Sequence, residues 1–434
     1  MKVGLISIQI MLCVVAGCSA ARASDGGQNK YLSVPVLYMT DRAASAKHFG
    51  AQRKIETGTA IYRLNLGTLV YSVRNSLDKQ LLDKQKQLDW SGSEKKLPLA
   101  IKPIEGSGTD EAFHQFGKAV TEAALKTSSK EVFVIIHGYN TTFAEAAESA
   151  ADLAYNVESP VVVFDWPSKG KLGQYDVDAG NNEWSQEHFD RLLEELKAVK
   201  DQSGIKFNLL AHSMGNRLAI RSAPVLAGQH QFDQMYLVDS DFDAETFVHY
   251  LIRYARNNQK AAEKSSTGSD KPAQTKIRIL FSHHDRALPF AQLLFGGYTR
   301  LGQAADQMLS TVFNPLSVTE LVHLKNDQQA DEVSTTEVAD WAVKFEWIDF
   351  TVLDHGVIGH TIPFNLIANL SSNDTPGDGL KLIDSENAAP NKLSKVFLGL
   401  FHEKKHVSSR LGICKRVAFN KANDQKLSGA NALK

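Results

Sequence analysis

At 434 residues, 43% of them hydrophobic and 22% charged, the chain has enough apolar material for one large domain or two, which excludes disorder along its whole length. A net charge of −1 gives no global reason to expect nucleic acid or an acidic substrate, so any charge-driven partner must be met locally. The three cysteines, Cys13, Cys18 and Cys414, are too far apart to build a metal cluster by themselves.

In chain order, Met1-Lys2 leads into an apolar run from Val3 to Gly17 and then Cys18-Ser19-Ala20, the layout of a secretory signal peptide. The run is shorter than the about 20 residues a membrane-spanning helix needs. Val15-Ala16-Gly17-Cys18 resembles the lipobox of bacterial lipoproteins, which implies that residues 1–17 are removed and that Cys18 is lipidated as the mature N-terminus. By the same resemblance Ser19, standing where an aspartate would signal retention, implies an outer-membrane anchor facing the periplasm. Cleavage after Ala21-Arg22-Ala23, giving a secreted or soluble periplasmic protein, is the alternative. On the lipoprotein reading only Cys414 remains in the folded body, and an intrachain disulfide is impossible.

Residues 18–33 read as lipidated cysteine and linker. Val34–Tyr38 and Gly67–Val73 read as strands of an N-terminal β extension, and Leu82–Lys96 as a charged surface connection. From Glu131 the pattern becomes regular. Apolar, β-branched runs recur at Val132–Ile136, Val161–Phe164, Phe207–Leu210, Met235–Val238, Ile277–Phe281 and Trp347–Val352, with amphipathic helical patterns between them. Phe143, Ala146, Ala150, Leu153 and Val157 share one helix face, as do Phe189, Leu192, Leu193, Leu196 and Val199. Such alternation predicts an α/β fold, a mostly parallel central sheet with helices on both faces. The expected domain spans residues 34–370. Residues 257–276 read as an exposed loop, and residues 287–342 as a helical insertion, either a lid or substrate wall or a packing elaboration. Residues 371–434 form a basic C-terminal extension, with a local balance of +8 from Asn391 onward, suited either to an anionic membrane surface or simply to solvent.

The segment Ala211-His212-Ser213-Met214-Gly215 joins the Phe207–Leu210 strand to a helix. Small residues two before and two after Ser213 allow the sharp turn that exposes a nucleophilic hydroxyl, although a helix-capping serine has the same local pattern. A serine needs a histidine to take its proton and a carboxylate to orient that histidine, and in a parallel sheet such groups collect where strands end. Asp285 follows the Ile277–Phe281 strand. Its rival Asp241 follows the preceding strand, but Asp241 or Asp243 stands where it would cap a helix starting near Ala244, which favours Asp285. His355 and His360 both follow the last strand and both qualify as the base. His137 and His212 read as supporting residues. Asp176 with Asp178, and His283 with His284, suggest cation sites only weakly, and neither a cofactor nor a metal is expected.

The strand ending in His137-Gly138-Tyr139-Asn140 resembles the His-Gly turn of lipases and esterases, which implies oxyanion donors at the Tyr139 and Met214 N–H groups. Together these features resemble the α/β-hydrolase superfamily. More narrowly, the chain resembles a bacterial group of uncharacterised α/β-hydrolases. That likeness rests on residues 135–140, residues 163–170 and residues 210–217, on Thr40-Asp41-Arg42, on residues 282–288 and on Gly359-His360, and it selects His360 over His355. It implies an α/β-hydrolase fold with its insertion before the catalytic histidine. It also implies a Ser213–His360–Asp285 triad acting on a small-molecule or lipid ester. Trp166 is expected at the site rim, lining an acyl or alcohol pocket, or else as part of a rigid loop. A non-catalytic envelope binding or assembly protein on the same fold is the competing reading. Oligomeric state, and ester against thioester or amide, are left open by the residues.

Overall fold

A computed structural model describes residues 31–45, 48–55, 62–74, 100–106, 108–227, 232–247, 250, 275–303, 345–354, 356, 358–372 and 416–417. The leader, Cys18, the residue 82–96 connection, most of the 257–276 loop, residues 304–342 of the insertion and almost all of the basic tail lie outside them.

The strands alternate buried side chains to two faces, and each face is roofed by helices. On β6 (Glu131–Ile136), Val132, Val134 and Ile136 join one apolar cluster while Phe133 and Ile135 join the other. The first cluster is completed by Phe113, Phe116 and Val120 of α1 (Asp110–Leu125) and by Phe189, Leu192 and Leu196 of α4 (Gln186–Ser203). The second takes Ala146, Ala150 and Leu153 of α2 (Phe143–Val157) and Ile367 and Leu370 of α7 (Phe364–Ser372). A strand buried on both faces is apolar at most positions, which is why these runs do not alternate regularly with polar residues; buried exceptions include Asn208, Gln234 and Arg278. Truncating a fully buried ring such as Phe189 to alanine would cost about 3–5 kcal/mol.

A second β element, the hairpin β2 (Arg42–Ala44) and β3 (Phe49–Arg53), stands apart from the main sheet. The main sheet has ten strands in the order β12-β11-β10-β9-β8-β6-β7-β1-β4-β5. Its remaining members are β1 (Tyr31–Thr40), β4 (Asn65–Arg74), β5 (Ala100–Pro103), β7 (Val161–Asp165), β8 (Lys206–His212), β9 (Gln234–Val238), β10 (Lys276–Phe281), β11 (Phe345–Asp349) and β12 (Arg416–Val417). Pairing is parallel from β1 through β7, β6, β8, β9 and β10 to β11, and antiparallel for β1–β4, β4–β5 and β11–β12.

The N-terminal strands extend the main sheet itself, with β1 pairing in parallel with β7 and β4 and β5 following on its far side. Two expectations change. The last parallel strand is Phe345–Asp349, and Thr351–Leu353 is a 3-10 turn, so the apolar run 347–352 crosses a boundary that its composition does not mark. Helices α1 and α3 (Tyr175–Trp184) lie where the sequence suggested none. The polar face of α3 buries Asp178, Asn181 and Asn182, which erases an amphipathic signature.

Candidate functional site

Ser213 stands between β8 and α5 (Asn216–Ala227), opening a 3-10 turn Ser213–Gly215, with φ +51° and only 7% exposed. A non-glycine residue in the left-handed region costs about 1–3 kcal/mol, and the surroundings hold this one there. The Asn216 amide donates to the carbonyls of Ala211 (3.1 Å), Ser213 (3.0 Å) and Val238 (3.1 Å), while the Asp241 N–H donates to the Ser213 carbonyl at 3.2 Å. Gly215 is required by contact: a Cβ there would sit 2.5 Å from the His137 carbonyl oxygen and 2.7 Å from that of Ile136. Ala211 tolerates its Cβ because that carbon belongs to the apolar cluster beneath the sheet.

Across the carboxyl edge, the loop after β11 returns His360 to the loop after β10. Gly359, at φ +64°, lies against the His284 backbone, and Arg286 N–H donates to the Ile358 carbonyl at 2.8 Å. His360 Nδ1 lies 2.8 Å from Asp285 Oδ2. A carboxylate only accepts, so Nδ1 carries the proton and Nε2 is left as the basic nitrogen. Asp285 Oδ1 accepts from Ala287 N–H (2.8 Å) and Leu288 N–H (3.0 Å), which fixes the carboxylate on the first turn of α6 (Ala287–Leu294). No hydrogen bond joins His360 to the Ser213 hydroxyl. Such bonds often close only with substrate in place.

The sequence reading missed Asp239. It follows β9 with φ +42°, is completely buried, and puts Oδ2 3.9 Å from His360 Nδ1. Neither of its oxygens makes a well-formed hydrogen bond. Burial, then the nearby Asp285 and Asp354 carboxylates, push its pKa well above the usual carboxylate range. Its signal was its position immediately after a strand, masked by Asp241 and Asp243 close behind. His212 is partly buried, with its ring 4.8 Å from that of His360. Burial, His360 and His137 together push its pKa far down and keep it neutral. Donor atoms of His212, Asp239 and His360 lie within 4.8 Å of one another, so these three residues offer ligands to a divalent ion.

The His137–Asn140 loop rests on a buried polar network. Asp165, at the end of β7, accepts from Arg42 Nε (2.7 Å) and Thr40 Oγ1 (2.6 Å) and lies 3.1 Å from His137 Nε2. Burial alone would raise the Asp165 pKa, but Arg42 and His137 outweigh it and hold the carboxyl below its ordinary value. Arg42 also donates to the carbonyls of Ser168 (2.7 Å) and Thr141 (2.8 Å), and Asp41 meets His188 Nδ1 at 2.9 Å. Asp178, set aside as a cation ligand, accepts from Ser168 Oγ (2.5 Å), Lys169 N–H (2.7 Å) and Asn140 N–H (3.2 Å). Trp166 does not line a pocket. It is fully buried, stacks on His137 at 4.9 Å and donates from Nε1 to the His137 carbonyl at 2.9 Å. The network holds the Tyr139 loop beside the serine turn.

Asp241 is neither a helix cap nor a partner of His360. Asp243 caps, accepting from Thr246 N–H at 2.7 Å. Asp241 accepts from the Tyr175 hydroxyl and from Arg217 NH2 (3.1 Å), and lies 3.7 Å from Arg300 Nε. The other candidate base, His355, lies outside the described residues, as does the lipidation candidate Cys18.

A family model described as "Alpha/beta hydrolase of unknown function (DUF900)" matches residues 114–339, slightly more than half of the chain. That span includes Tyr139, Ser213 and Asp285 and ends before His360. No curated protein matches the sequence.

Proposed function

The chain belongs to this alpha/beta hydrolase family of unknown function, and from that premise we propose that it is a cell-envelope serine hydrolase, cleaving a carboxylic ester through an acyl-enzyme. The observation that carries the reading is a serine held in a strained turn at a strand end, whose neighbour His212 packs against a histidine, His360, that is oriented by a carboxylate at 2.8 Å.

In this scheme His360 Nε2 takes the Ser213 proton as Oγ attacks the ester carbonyl. The Met214 and Tyr139 N–H groups stabilise the oxyanion, and the imidazolium returns its proton to the leaving alcohol. Water activated by the same nitrogen then releases the acid. Asp285 holds the imidazole in the competent tautomer. A fluorophosphonate probe tests the assignment: wild type should label on Ser213, and Ser213→Ala should not. Absence of labelling in folded wild type would instead favour a non-catalytic role.

Envelope placement rests on the Val15–Cys18 lipobox resemblance. No helix among the described residues is long and apolar enough to cross a membrane, and the anchor in this reading is lipid on Cys18. Wild type should fractionate with membranes, and Cys18→Ser should release it.

A further inference from the structure

Beside the serine turn, two guanidinium groups converge on one carboxylate. Arg217 lies on α5 four residues after Ser213, and Arg300 lies in the segment after α6. Their side chains are 10% and 5% exposed, and that of Asp241 between them is 2% exposed. Arg217 is fully engaged on one side: Nε donates to the Asp241 carbonyl (3.1 Å), and NH2 to Asp241 Oδ2 (3.1 Å) and to the Tyr175 hydroxyl (3.0 Å). Arg300 is different. Among the described residues its guanidinium makes no hydrogen bond, its buried Nε has no hydrogen-bond partner, and its one ion pair is the 3.7 Å approach to Asp241. It otherwise lies over the Phe295 ring at 4.5 Å, as Arg217 does at 4.9 Å. Arginine cannot shed its proton to escape burial. Tyr175 adds no negative charge, because burial, reinforced by Asp241, raises its pKa and keeps the phenol protonated. Among the described residues two cations therefore face one anion, an excess of one positive charge with unused donors.

The cluster borders the reaction centre. The Asp241 N–H is bonded to the Ser213 carbonyl. The Tyr175 ring lies 5.2 Å from that of Tyr139, whose N–H is an oxyanion donor in the scheme above, and 5.5 Å from that of Phe295. We propose that Arg300, backed by Arg217, is an anion-binding subsite and that the ester cleaved at Ser213 also carries a carboxylate. A carboxylate matches the single excess charge and the planar fork of a guanidinium, whereas a phosphate would bring nearly two charges. This specificity rests on the serine hydrolase reading, but the binding subsite does not.

The test compares 4-nitrophenyl half-esters of adipic and suberic acid with their neutral methyl-capped counterparts, each rate divided by its spontaneous hydrolysis. Wild-type full-length protein should favour at least one charged ester by about 10- to 100-fold in kcat/KM, the scale of a charge-assisted hydrogen bond. Arg300→Gln should collapse that ratio, and Arg300→Lys should keep part of it. In parallel, calorimetry with Ser213→Ala should detect adipate or suberate binding that is lost when Arg300→Gln is added to a protein with an unchanged Tm. If wild type shows no preference and Ser213→Ala binds neither dicarboxylate, the subsite is refuted, whatever the fluorophosphonate result. If binding persists while no ester is turned over and no probe labels Ser213, the subsite stands and the hydrolase reading falls.

Discussion

Gly215→Ala should damage the serine turn without touching any reacting atom. The added Cβ would lie 2.5 Å from the His137 carbonyl oxygen, 2.7 Å from the Ile136 oxygen and 3.0 Å from Ile136 Cγ2. Carbon and carbonyl oxygen ordinarily meet at about 3.3 Å, so the turn must retreat from β6 by roughly 0.8 Å. It cannot do so freely, because Asn216 ties it to Ala211 and Val238 and the Asp241 N–H ties it to the loop after β9. Overpacking of this kind costs about 1–3 kcal/mol, and at about 2–4 °C per kcal/mol Tm should fall by roughly 2–12 °C. A displacement near 1 Å between nucleophile, base and oxyanion donors is worth about 100-fold in rate. The assay is the second-order rate of fluorophosphonate labelling, measured with thermal unfolding. Gly50→Ala serves as control, since its Cβ would make only ordinary contact at 3.7 Å. Labelling by Gly215→Ala at the wild-type rate, or a Tm loss no greater than that of Gly50→Ala, would refute the contact argument.

Asp285→Asn keeps an acceptor for the Ala287 and Leu288 N–H groups while offering His360 Nδ1 a donor, so the fold should persist with the wrong tautomer and esterase kcat should fall by about 10³–10⁴. A loss under tenfold would transfer the orienting role to Asp239. Asp239→Asn bears on stability. A carboxyl whose folded pKa is raised favours the fold fully below its unfolded value near 4 and loses that contribution as pH rises toward the folded value. The variant should therefore gain on wild type in urea melts as pH rises from about 4 to 8, and parallel curves would contradict it. Arg42→Met strips a buried aspartate of its strongest partner, and chemical denaturation should show a loss of about 3–5 kcal/mol, with a change under 1 kcal/mol ruling out a structural role for the pair.

The sheet was legible because it is written locally. Two-sided burial turns strands into unbroken apolar runs, and residues placed at strand ends share an edge whatever the rest of the chain does. On that basis the sequence pointed to Ser213, the Tyr139 loop, Asp285 and a late histidine. It could not show that His360 meets Asp285, 75 residues away, because a loop's return path leaves no period in the sequence. Nor could composition rank three aspartates within five residues. Asp239 faces the imidazole, Asp241 faces two arginines and Asp243 caps a helix, and only neighbours in space distinguish them. Trp166 was misplaced for the same reason. An indole suits a pocket wall or a buried stack equally well, and the Asp165–His137–Arg42 network beside it decides for the stack. By itself, then, the sequence determined the layered architecture and the chemical types gathered at one edge of the sheet. Which carboxylate meets His360, and that Arg300 lacks a hydrogen-bonded partner among the described residues, came only from the tertiary structure, because both depend on distances between groups that no local pattern relates.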